Sequence, residues 1–224
     1  MSDEAEVMTA TPVPAVRDAR RAWIVGGSLL AADAVLVLLA QSAPLFAFPG
    51  AQLVLDLVWA AALLVFAFGI RGAGSVVARQ PLGIVALVIA AAAPLASRLL
   101  WWVIPIQTWD AATAVSVGTV IAVLTPVALI VATVVIGRAG AVPRGSRWVP
   151  LIVVAVAVGA QVLAQVFVVA ANGSLVQPDL VAIVFGTAAV GTLGGLVLGI
   201  LAIVFAPREA PRPAAPTQVY PPAS

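Results

Sequence analysis

The sequence contains no cysteine, no histidine and no lysine. Each absence removes a class of chemistry. Without cysteine there are no disulfides, thiolate nucleophiles or iron–sulfur clusters; without histidine as well, the usual zinc sites and histidine-ligated haem are gone. Without lysine no Gly-Lys-Ser/Thr phosphate loop exists, and Ser–His, Cys–His and Ser–Lys pairs cannot be assembled within the chain. No cofactor and no metal is therefore expected.

Charge is scarce too. Only 9% of the 224 residues are charged, against 63% hydrophobic. A soluble domain carries about 25% charged residues. Here the polar residues are too few to coat a surface facing water, so lipid is the solvent for most of the chain, and the length suits one membrane domain. The net charge of +2 comes from eleven arginines against nine acids. Those arginines are spread over separate segments and form no basic patch with interleaved aromatics, so no nucleic-acid partner is expected. Exclusive use of arginine, with abundant Ala and Val, fits the codon bias of a GC-rich bacterial genome.

Six apolar runs follow one another at about 22–40, 51–70, 81–104, 111–136, 148–171 and 179–206. Each has about 19 residues or more, enough for a helix rising 1.5 Å per residue to cross a ~30 Å hydrocarbon core. Lipid offers the backbone no hydrogen bonds, so these runs read as helices in spite of their Val and Ile. The expected fold is all-α: a polytopic bundle of six transmembrane helices over 22–206, with short loops. Residues 1–21 read as a disordered N-tail. Residues 207–224, with six prolines, read as a disordered tail of polyproline II character. The first run has a basic flank and small residues near Ala40, Ser42 and Ala43, features shared with cleaved signal peptides. Asp33 interrupts its core and it is longer than the usual h-region, so a retained span is expected.

Orientation follows from the arginines. Arg17, Arg20 and Arg21 precede the first run, Arg71 and Arg79 follow the second, Arg138, Arg144 and Arg147 follow the fourth, and Arg208 and Arg212 follow the sixth. Ten of eleven thus fall on one side, which reads as cytoplasmic. The chain is expected in a bacterial plasma membrane with both termini inside. Trp23 and Trp148 open spans on that side, and Trp101, Trp102 and Trp109 flank the other, where amphipathic rings favour headgroup depth. Trp59 lies inside the second run and reads as packing.

Three charges interrupt the spans: Asp33, Asp56 and Arg98. A lone charge at the bilayer centre costs about 2.5–3.5 kcal/mol on the mildest scale, so each needs a partner or water. Helical rise places all three ~8–10 Å below the arginine-poor boundary, in one layer. Helical side chains lean toward their N-terminus, so Asp33 and Arg98 lean inward and Asp56 outward. The expectation is that Arg98 pairs chiefly with Asp33, with Asp56 as a second, wetter partner. Gln161 and Gln165, one turn apart, reach the same layer with Thr113, Ser116 and Thr187. The cluster reads either as an ion pair that fixes helix order, with glutamines as interhelical glue, or as a pocket for an ion or small solute.

Gly191, Gly195 and Gly199 recur at steps of four in the sixth run, the small-xxx-small pattern of close helix packing within the monomer or between copies. Pro94 and Pro126 predict kinks. Asn172-Gly173-Ser174 reads as a turn. Arg79-Gln80-Pro81-Leu82 and Arg147-Trp148-Val149-Pro150-Leu151 open two runs alike, a weak sign of a duplicated hairpin.

Three functions remain. The residues point first to a non-catalytic accessory or scaffolding membrane protein, with the bilayer and a membrane-protein partner or second copy as its associates. The alternative is a small-solute or ion transporter built on Asp33, Asp56, Arg98 and Gln165. Intramembrane carboxylate chemistry at Asp33 and Asp56 is the third; no catalytic residue is otherwise expected.

Overall fold

The computed structural model of the chain describes residues 13–42, 50–70, 73–103, 111–139, 146–170 and 178–206. Six helices fill these segments: α1 (Val13–Ser42), α2 (Ala51–Phe68), α3 (Pro81–Val103), α4 (Ala111–Ala139), α5 (Val149–Ala170) and α6 (Pro178–Val204). Each contains a stretch long and apolar enough to cross a membrane, with mean hydropathy between 2.0 and 2.7. The protein is an integral membrane protein, and the six expected spans are present with boundaries close to those read from the sequence. The far N- and C-terminal tails, Trp109 and the Asn172-Gly173-Ser174 turn lie outside the described residues.

One boundary differs. α1 begins at Val13, well ahead of the expected 22. Residues 13–21 had read as tail because they are polar and follow Pro12 and Pro14. Pro14 sits in the first turn, however, where no backbone N–H is required. The following turns carry Asp18 and Arg21, paired at 3.9 Å across three residues. An exposed pair of this kind adds little stability; the apolar run beyond it propagates the helix outward.

The helices run alternately up and down, and each packs against its sequence neighbours. α1 closes on α6, so the six form a ring in chain order. That closure brings two helices into close backbone contact. A Cβ on Gly27 would lie 2.6 Å from the carbonyl oxygen of Gly199, and one on Gly199 would lie 2.6 Å from that of Gly27 and 2.8 Å from the nitrogen of Ala31. Two backbones meet there with nothing between them. Gly199 therefore does the packing work read from the glycine stripe, within the monomer. Gly191 and Gly195 do not: a Cβ at either would meet nothing within 4 Å.

The buried core gathers α1–α4. Ala60, Ala67, Ala86, Ala90 and Ala132 let these helices approach closely, and the connection after α2 folds back into them. Gly69 ends α2 with φ 71°, Ile70 and Ala73 exchange backbone hydrogen bonds of 3.0 and 2.9 Å, and Ser75 Oγ donates to the carbonyl of Ala67 at 2.7 Å. Val76 and Val77 are thereby pushed between the helix ends as a plug, Val77 fully buried. Trp23 belongs to the same core and is buried. α1 turns that face toward the neighbouring helices.

The glycine contact predicts a graded outcome. Gly199→Val should force α1 and α6 apart and cost about 1–3 kcal/mol or more, read as a lower melting temperature in detergent. Gly186→Val on the same helix, where a Cβ meets nothing within 4 Å, should melt within a few degrees of the parent.

Candidate functional site

Two features stand inside the ring: a charged pair in the arginine-poor half and an apolar cavity in the arginine-bearing half.

The charged pair joins α2 and α3. Arg98 Nε donates to Asp56 Oδ2 in a hydrogen-bonded ion pair, with both side chains partly shielded. Arg98 does not pair with Asp33, which corrects the expected partnership. The lean of each side chain along its helix axis favoured Asp33, but direction around the axis decides. In a ring wound in chain order α2 stands between α1 and α3, so α3 presents Arg98 to α2. Asp33 is buried at 9% exposure and within electrostatic range of Asp56. It belongs to neither of the two ion pairs between described residues, Arg21–Asp18 and Arg98–Asp56.

The rest of the expected polar cluster differs in exposure. Gln161 and Gln165 are exposed on α5, Thr113 and Ser116 are exposed on α4, and Thr187 is half-buried on α6. Arg98 also borders a shallow groove between α3 and α4 with Pro94, Ser97, Ala122 and Thr125. No group of three or more metal-ligating side chains occurs among the described residues.

The cavity has a volume of about 200 Å³ and takes lining from all six helices. Trp23, Trp59, Phe66 and Leu129 form one side, and Val153 and Leu198 the other. Its hydroxyls are Thr133 and Ser146. Thr133 Oγ1 is spent on the carbonyls of Leu129 and Ile130 in its own helix, both at 2.9 Å. A buried water needs two to four polar partners, and an apolar cavity of comparable size, about 150 Å³, stays dry.

Trp59 carries a second role that its sequence position only half revealed. Pro94 has no N–H, so the carbonyl of Ala90, four residues earlier, loses its helical donor. Trp59 Nε1 donates to that carbonyl at 3.4 Å from α2. Pro94 signalled an orphan acceptor, and Trp59 is an indole inside a neighbouring span; together they were a readable pair. Gly27 as the counterpart of Gly199 gave no comparable signal, because glycine is common throughout the chain.

The chain matches no protein-family model, no curated protein and no solved structure. Its function is read from its own residues.

Two outcomes are expected at these contacts. Asp56→Arg and Arg98→Asp should each lower the amount of folded protein, with a cost of up to about 3 kcal/mol for the charge left alone. Their combination should restore it, and Asp33→Arg with Arg98→Asp should not, as measured by melting temperature and membrane yield. In a second cycle, Trp59→Phe should destabilise by about 1–3 kcal/mol by stranding the Ala90 carbonyl. Much of that loss should vanish in a Pro94→Ala background, where the helix supplies its own donor. Additive losses would exclude the bond.

Proposed function

We propose that this chain is a non-catalytic accessory or scaffolding protein of a bacterial plasma membrane, with both tails cytoplasmic, that holds another membrane protein through the exposed glutamines of α5. The arginine distribution supports the orientation. The single observation that carries the association is the placement of Gln161 and Gln165. They lie one turn apart on an exposed face of α5, and each amide carries two donors and one acceptor oxygen. Inside a span, those groups gain most from a second helix offering polar side chains.

The transport alternative gains less. Its polar layer is divided among an ion pair closed on itself, a buried Asp33 and two exposed glutamines, while the cavity is apolar. Intramembrane catalysis at Asp33 and Asp56 is weakened by the engagement of Asp56 with Arg98.

Purification of the intact protein in mild detergent tests the association. A stoichiometric membrane partner should co-purify, and Gln161→Leu with Gln165→Leu should weaken it by about 1–2 kcal/mol, roughly tenfold, without changing the melting temperature. Recovery of a lone monomer under conditions that preserve known membrane complexes would sink the reading, as would equal retention by the double variant.

A further inference from the structure

The cavity is a space between the helices that opens on one side. α6 carries Gly191 and Gly195 along it, and a Cβ on either would meet nothing within 4 Å. The intervening Gly194 behaves differently, since its Cβ would press on Val153 of α5 at 2.9 Å. The two facing glycines thus widen the cavity instead of tightening a helix contact. Its surface is hydrocarbon apart from the satisfied Thr133 and the serine at the start of α5, so it suits an apolar occupant and repels water.

Its rim is of another character. Ser146 lines the cavity where the chain turns into α5. Next to it Arg147 is exposed, with its guanidinium 5.6 Å from the centroid of the Trp148 ring. Trp148 in turn packs on Gly137, at 2.8 Å from where a Cβ would stand, and Arg138, itself exposed, follows in the last turn of α4. Two positive charges therefore flank the α4–α5 connection beside an apolar cavity. α4 and α5 are also the most loosely packed neighbours in the ring, and both face the cavity. Guanidinium groups bind phosphate oxygens in pairs, and clusters of basic groups beside membrane helices select anionic lipid heads.

The geometry points to a lipid site: the cavity receives one acyl chain of an anionic phospholipid through the α4–α5 seam, and Arg138 and Arg147 hold its phosphate. This site uses α5 residues up to Val158 and not Gln161 or Gln165, and it stands whether or not a partner is found.

Titration of the purified, delipidated full chain with phosphatidylglycerol brominated on its acyl chains tests it, because bromine quenches tryptophans on contact and Trp23 and Trp59 line the cavity. Quenching should saturate near one lipid per protein, with half-saturation at least fivefold tighter than for brominated phosphatidylcholine. Gly195→Leu should abolish the saturable quenching. Gly186→Leu, placed away from the cavity on the same helix, should retain it. Arg138→Gln with Arg147→Gln should erase the preference for phosphatidylglycerol. Equal half-saturation by both lipids, quenching without saturation, or full quenching in a Gly195→Leu protein that melts like the parent would each overturn the assignment. If Gly195→Leu does not fold, Gly191→Val carries the same two readings.

Discussion

A hydrocarbon solvent accepts no hydrogen bonds, and that constraint organises this molecule down to single atoms. Inside the spans each exposed donor or acceptor must find its partner within the protein. The Ala90 carbonyl, orphaned by Pro94, is met by the Trp59 indole from the next helix. Thr133 returns its hydroxyl to its own helix. Arg98 and Asp56 close on each other across two helices. The turn after α2 ties itself together with backbone bonds before carrying Val76 and Val77 into the interior. Among the described residues no buried side-chain nitrogen or oxygen is left without a partner.

Lipid also removes the usual drive to bury apolar surface, since a leucine is as comfortable against an acyl chain as against another leucine. Close approach and dispersion then decide which helices hold together. The molecule shows both extremes. Alanines hold α1–α4 tightly, and Gly27 against Gly199 locks the ring shut between its first and last helices. α5 packs loosely against α4, and the space left over is the apolar cavity. A ring with one tight closure and one loose seam has a built-in place for something from the bilayer to enter.

The two proposed associations use successive lengths of the same loosely held helix. Gln161 and Gln165 are exposed in its later turns, where amides gain from another protein. Val153, Val154 and Ala157 line the cavity in its earlier turns, where hydrocarbon is the natural filler. Both readings treat α5 as the part of the ring committed least to its own fold and most to its surroundings.

The sequence alone determined the solvent, the number of spans and their boundaries, because these depend on length and polarity summed over about twenty residues at a time. It also marked the residues that lipid makes conspicuous: Asp33, Asp56, Arg98, the paired glutamines and the two intrahelical prolines. What it left open was direction around each helix axis. That angle is set by packing between helices distant in sequence, and it decided that Arg98 meets Asp56 and not Asp33. It decided too that Gly199 touches a neighbour while Gly191 and Gly195 open onto a cavity. Depth in the bilayer is written along the chain; azimuth is fixed only when six helices close into a ring.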